Sequence, residues 1–168
     1  MPNVTAVQRG DIIFVCGTGL ISEAIEDITR SVYSHVALAV SADTFIEAQG
    51  WERVEVVPSS KYAGHADVYR TSLSADALDM IVAKAETHIG ERYDYFLVAL
   101  ELVREGMGIS LPYDEAQHHD LICSMLIADA FRPEYDPCPG IEYPTPGDEA
   151  KSSLWSYQFA LEAVAVPP

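Results

Sequence analysis

Eleven consecutive residues, Leu121 to Phe131 (Leu-Ile-Cys-Ser-Met-Leu-Ile-Ala-Asp-Ala-Phe), are apolar enough to predict a core helix around which the chain must pack. Asp120, just ahead, is placed to cap it. Cys123 then falls in the first turn, where unpaired N–H groups and the helix dipole favour negative charge. That setting favours the thiolate, which is the nucleophilic form. A free cysteine in an apolar helix is equally a small buried hydrophobe, and this stretch by itself leaves both readings open.

The first half of the chain reads as strands. Gly10-Asp11 turns into an apolar run, Ile12 to Cys16, and strands follow at Ser34 to Val40, Thr44 to Ala48, Arg53 to Val57 and Ala66 to Arg70. The spacing of Leu20, Ile21, Ala24, Ile25 and Ile28 predicts an amphipathic helix after the first strand, so this half is expected to be a β-meander with one inserted helix. Pro58 to Gly64 reads as a loop with at most one helical turn.

The second half is helical. Ser74 caps an expected helix to Ile89, with Leu78, Ile81, Val82, Ala85 and Ile89 on one face and Gly90 as terminator. Asp94 caps another to about Glu105, and a loop carrying His118 and His119 leads to the Cys123 helix. The proline-rich stretch Arg132 to Gly147 is irregular, and Thr145-Pro146-Gly147-Asp148 reads as a helix start with proline at the first helical position. Tyr157 to Val166 is the expected closing strand, with Tyr157, Phe159 and Leu161 alternating on one face. The fold class is therefore α+β, helices against a largely antiparallel sheet, in a single domain over residues 1–168.

Charge narrows the function. The chain carries 26 acidic residues against 10 basic, a formal net charge of -16, and lacks the clustered Lys and Arg that a phosphate backbone needs. Nucleic acid is not an expected partner, and no stretch has the length of a membrane span; Tyr95 to Val103 is short and broken by Glu101. Met1 to Asp11 lacks the charged start and apolar run of a signal peptide. Cys16, Cys123 and Cys138 make no disulfide framework, so a reducing cytoplasm is the expected location.

Among the polar residues, His35 stands out. Strand alternation puts it on a face with Ala37 and Ala39, small residues that leave room for a helix or a substrate. The next strand carries Glu47 between Ile46 and Ala48, where a carboxylate needs a partner. A hairpin setting Glu47 beside His35 would give Cys123, His35 and Glu47 the roles of nucleophile, base and orienter. A lone strand histidine is more often a packed or surface residue, and that reading stands beside the catalytic one. His118, His119 and Cys123 lack the ligand spacing of a zinc site, so no metal and no cofactor are expected. Gly17-Thr18-Gly19 lacks the rest of a phosphate-binding fingerprint and reads as a turn. His65 and His88 read as solvent-facing, and Trp51 and Trp155 either pack the core margin or line a cleft, which the sequence does not decide.

Five short motifs occur in one order: Gly10-Asp11-Ile12-Ile13-Phe14, Tyr33-Ser34-His35-Val36, Phe45-Ile46-Glu47-Ala48, Gly90-x-x-Tyr93-Asp94 and Ile122-Cys123-Ser124. In these the chain resembles the circularly permuted branch of the NlpC-like, papain-like cysteine hydrolases. That branch includes the YiiX-like bacterial proteins and is related to lecithin retinol acyltransferase. Thr145-Pro146-x-Asp148 is a weaker echo. The resemblance implies a permuted papain-like fold whose base precedes its nucleophile in the chain, which is admissible because a triad is defined by geometry and not by order. It implies Cys123 as nucleophile, His35 as general base and acid, and Glu47 as the residue orienting His35. Tyr93 and Ser124, with N–H groups at the start of the Cys123 helix, are implied at the oxyanion or substrate. The chain departs from the family at Met125, where many relatives have glutamate after Cys-Ser.

The expected activity is that of a cysteine peptidase or amidase working through an acyl-enzyme on Cys123. The same triad would serve a lipid-ester or thioester acyl hydrolase or transferase. A binding module that keeps the fold without catalysis is the alternative of a different class. The expected partners are peptide, amide or acyl-lipid substrates, with no stable membrane insertion; nothing in the sequence sets the oligomeric state.

Overall fold

A computed structural model describes residues 6–17, 30–48, 53–92 and 123–162. The expected helices at 20–28 and 94–105, and with them Tyr93, His118, His119 and Asp120, lie outside the described residues. Six strands are described: β1 (Ile12–Val15), β2 (His35–Ala39), β3 (Thr44–Ala48), β4 (Val54–Pro58), β5 (Ala66–Thr71) and β6 (Trp155–Leu161). They form one antiparallel sheet in the order β4-β3-β2-β1-β5-β6. Three helices accompany it: α1 (Ala75–Glu86), α2 (Cys123–Phe131) and the single turn α3 (Pro146–Glu149). The α+β class expected from the sequence holds. No helix among the described residues is long and apolar enough to cross a membrane.

The meander stops after four strands. β5 does not pair with β4 but returns to the far side of β1, with Ile13 opposite Val68. Pro58 lies opposite Thr44, at one end of the sheet, whereas Ala66 lies opposite Val15, which in turn faces His35 at the other end. The link between them, including a 310 turn at Ser59–Tyr62, must therefore cross the sheet obliquely, and it does so over the face that carries Ala37 and Ala39. On that face Val7, Ile13, Val15, Phe45, Val57, Tyr62 and Val68 form one apolar layer.

The opposite face carries the larger core. Phe14, Val36, Leu38 and Ile46 meet Ile81, Val82 and Ala85 of α1 and Leu126, Ile127, Ala130 and Phe131 of α2. Each of the larger of these side chains contributes about 1.5–3 kcal/mol on burial, the sum being opposed by chain entropy. Trp155 stacks edge-on against Phe131 at 5.5 Å between ring centroids, and its Nε1 donates to the Glu149 carbonyl. It is a core residue, 6% exposed.

Local chemistry fixes the joints. Gly10 takes φ 85°, and a Cβ there would stand 2.7 Å from Leu78 Cδ2, so the turn before β1 admits only glycine without displacing α1. Asp11 is 1% exposed and is gripped by Arg70 through Nε and Nη2, each at 2.6 Å, while the Gln8 N–H donates to it at 2.8 Å. The Gly10-Asp11 motif is thus a structural latch between the start of β1 and β5. At the C-terminal end of α2, Lys84 Nζ donates to the Asp129 and Arg132 carbonyls, satisfying groups a helix end leaves open. Short α3 holds through a capping box: the Thr145 hydroxyl accepts from Asp148 N at 3.1 Å while Asp148 Oδ2 accepts from Thr145 N at 3.0 Å.

Four expectations need correction. α1 ends at Glu86 with Thr87 as its cap, and Ile89 is 51% exposed in the following turn, outside the helical periodicity. His88 is not a free surface residue, since its ring nitrogens pair with Glu91 at 2.9 Å and Asp129 at 3.0 Å. Cys16 lies just past the end of β1 and is half-buried, not inside the strand. In β6 the register jumps between Val68↔Phe159 and Tyr69↔Tyr157, so Gln158 is an extra residue. That bulge turns Tyr157 to the face of Tyr69, while Phe159 and Leu161 join the layer on the other side.

Candidate active site

Glu47 and His35 are brought together by register. Leu38 pairs with Ile46 and Ala39 with Phe45, so the ladder, continued, sets Glu47 beside Ala37 and diagonally next to His35 on the same face. His35 Nε2 lies 3.1 Å from Glu47 Oε2. Glu47 is fully buried, and its remaining acceptor capacity is met by the crossing link: Lys61 Nζ donates to Oε1 and the Tyr62 hydroxyl to Oε2. Burial would raise the Glu47 pKa, but the hydrogen bond and charge of His35, then Lys61 and Tyr62, outweigh it and hold the carboxyl down at about 2. Glu47 is therefore an ionised anchor fixed by three partners.

Cys123 opens α2 and is 5% exposed. The helix packs against β2 and β3 on the face of Val36 and Leu38, opposite the face from which His35 springs. The room left by Ala37 and Ala39 is filled by the Phe45, Val57 and Tyr62 layer and not by the nucleophile helix. His35 reaches Cys123 because it is the first residue of β2, at the open end of the sheet, where a side chain can turn toward either face. Its ring packs on Tyr62 at 5.6 Å between centroids. With Nε2 taken by Glu47, Nδ1 is the nitrogen left for the thiol. Burial works against a charged imidazole here; the charge and hydrogen bond of Cys123, followed by those of Glu47, overcome it and raise the His35 pKa to about 9. An imidazolium beside a cysteine is the arrangement that generates thiolate nucleophiles.

The structure thus brings Cys123, His35 and Glu47 into one chain of contacts. Ser124 follows Cys123 into the interior, fully buried, with its hydroxyl lacking a hydrogen-bond partner. Tyr93 lies outside the described residues. Sequence reasoning missed Lys61 and Tyr62, which carry no periodic signal and become partners of Glu47 only through the strand order. It also missed Glu149, fully buried at the end of α3 with neither carboxyl oxygen hydrogen-bonded. Burial first, then the charge of Cys123, push the Glu149 pKa well above the carboxylate range; Arg132 opposes this and Asp148 adds to it.

Comparison with known proteins gives the fold. The chain is similar to a solved structure from Escherichia coli O157:H7, described as the metalloprotein YiiX of the domain family DUF1105, at a TM-score of 0.54 and 18% identity. The match covers 89% of this chain and 95% of that one. No protein-family model matches the chain, and neither does any curated protein. At this identity the likeness concerns the fold, a YiiX-like α+β arrangement. Among the described residues no group of three or more His, Cys, Asp or Glu is disposed to hold a metal ion; His35 and Cys123 are held by each other and by Glu47.

Proposed function

We propose that the protein is a cysteine hydrolase of the permuted papain-like type, with Cys123 as nucleophile, His35 as general base and acid, and Glu47 as the residue that positions His35. The observation that carries this reading is the buried Glu47–His35 pair, in which Glu47 is held by Lys61 and Tyr62 and the charges of Cys123 and Glu47 favour the imidazolium form of His35. A structural histidine would not need two further donors to keep its carboxylate partner fixed and ionised.

The Cys123 thiolate attacks the carbonyl carbon, forming a C–S bond while the carbonyl pair moves onto oxygen. As the tetrahedral adduct collapses, the His35 imidazolium gives its proton to the departing nitrogen or oxygen, leaving an acyl-enzyme and a neutral imidazole. Neutral His35 then takes a proton from water, whose oxygen displaces the thiolate and restores the imidazolium–thiolate pair. Glu47 stays ionised throughout and stabilises the charged imidazole. N–H groups at the start of the Cys123 helix, Ser124 among them, and Tyr93 are the proposed oxyanion and substrate contacts. The first proposed substrates are peptides and other amides; lipid esters and thioesters are the alternative acyl donors.

The test is intact-mass detection of an acyl adduct after brief incubation with amide, ester and thioester acyl donors. An adduct on the wild type that is absent from Cys123→Ala supports the hydrolase, and the donor class that forms it fixes the chemistry. No adduct with any class, together with cleft binding unaffected by His35→Ala, would favour a non-catalytic binding module.

A further inference from the structure

Glu149 has no part in the chemistry above, yet its helix α3 packs against α2 and its carboxyl feels the charge of Cys123. The residue is 0% exposed and both carboxyl oxygens lack a hydrogen-bond partner, although its backbone carbonyl accepts from Trp155 Nε1 at 3.0 Å. Every element around it supplies groups that act on it or feel it. From α2 comes Cys123, and from the residue after α2 comes Arg132, the cation that acts on Glu149. Arg132, however, donates through Nε to Asp136 and through Nη1 and Nη2 to the Glu142 and Ile141 carbonyls, and makes no hydrogen bond to Glu149. From α3 itself comes Asp148, which is engaged with Thr145. From the proline-rich loop comes Cys138, buried, whose thiol is pushed up to about 12 by burial and then by the charge of Glu149.

An ionised carboxylate in such a place, without one donor, is untenable; a buried charge is kept only when paired and hydrogen-bonded. A leucine would fill the site at less cost, so a carboxyl here calls for a reason tied to its neighbours. Between two buried thiols, one of them the proposed nucleophile, the reason is electrostatic. The region tolerates one negative charge, and the imidazolium of His35 assigns that charge to Cys123.

We infer that Glu149 is a positioning residue that works as a neutral acid, keeping its own proton so that the one negative charge of this region rests on the Cys123 thiolate. The inference rests on the reading of Cys123 as a thiolate paired with His35. An ionised Glu149 would push Cys123 toward the unreactive thiol by like-charge repulsion, so the centre is competent only while Glu149 is protonated. When the sulfur pair enters the C–S bond, burial still favours the protonated acid, but the charge of Cys123 that adds to it is gone. The acid then becomes easier to ionise for as long as the acyl-enzyme lasts.

Difference infrared spectroscopy on the full chain tests this. The carbonyl band of a protonated carboxylic acid is expected at neutral pH in the wild type and absent from Glu149→Gln; if that variant does not fold, Glu149→Asp, which moves the band, assigns it. Titrated upward, the band is expected to disappear at a lower pH in Cys123→Ala than in the wild type, by about one pH unit or more. A missing band at neutral pH, or the same midpoint with and without the Cys123 thiol, overturns the inference. Iodoacetamide labelling of Cys123 in His35→Ala separates the two levels of the argument. If labelling does not depend on His35, the catalytic reading falls and this one with it. If labelling depends on His35 but the Glu149 midpoint ignores Cys123, only the role of Glu149 falls.

Discussion

His35 and Glu47 meet at 3.1 Å although neither stands opposite the other in the β2–β3 ladder. The contact is diagonal, between residues two positions apart on one face, and so it depends on the register of that hairpin. A slip of one residue would send Glu47 to the opposite face and leave the imidazole unsupported.

The raised pKa of His35 is the first quantity to check. Nuclear magnetic resonance titration of its imidazole is expected to give a midpoint near 9 in the wild type. It should fall by about one unit or more in Cys123→Ala, and also in Glu47→Gln, because each variant removes a group that favours the charged ring. A midpoint that ignores Cys123 would mean the thiol and ring do not interact.

Thermal stability should follow these titrations with opposite signs. The folded chain holds a proton on His35 that the unfolded chain loses above about 6.5, so this stabilisation is complete below that pH and vanishes as pH rises through about 9. Glu47 runs the other way: its contribution is complete above about 4.3 and is lost as pH falls toward about 2. Melting curves from pH 2 to 10 should show both limbs, and His35→Asn should flatten the alkaline one.

Tyr62→Phe removes one donor from a fully buried carboxylate while keeping the ring against His35. The expected cost is about 1–3 kcal/mol of stability. Because Glu47 loses a restraint and the ring keeps its packing, turnover on any substrate found should drop about tenfold with KM little changed. An unchanged rate would reduce Tyr62 to a packing residue.

Arg70→Met strands Asp11 in the interior at the other end of β1. The loss is expected at about 3 kcal/mol, a fall in Tm of about 6–12 °C. The pH profile of Cys123 alkylation should stay as in the wild type, since the latch is remote from the sulfur. A shifted profile would place Asp11 in the site.

Glu149→Leu tests the cost of the unpartnered acid. Removing both carboxyl oxygens relieves a buried group with no hydrogen bond and should stabilise the chain by about 1–3 kcal/mol, or about 2–12 °C in Tm. The gain should widen with rising pH, because a carboxyl whose pKa is raised on folding contributes stability below its unfolded pKa and loses it as pH climbs. Destabilisation at neutral pH would mean that the acid has a partner.

Much of this was legible in the chain itself. β3 spans Thr44 to Ala48 as expected, and β2 and β5 lie within a residue of the expected strands, because alternation and turn residues speak locally. His35 and Glu47 shared a face by parity alone. What was not legible is set by long-range order: that β5 returns to β1, and that the link between β4 and β5 thereby passes Lys61 and Tyr62 across that face. The bulge at Gln158 defeated a pattern that assumes an unbroken period of two. Glu149 gave no signal of its own beside the helix start at Thr145-Pro146, since nothing nearby in sequence shows that Trp155, Cys138 and Cys123 lie around it.

The anchor, its two donors and the base all precede Gly64, whereas the sulfur arrives on a helix that packs against β2 and β3. The centre is a seam between two stretches of one chain, each inert alone. Anything that unseats α2 silences the thiol while the imidazole stays on its carboxylate. Reactivity at Cys123 is therefore a gauge of how well the seam is closed, and it should fade before the sheet itself melts.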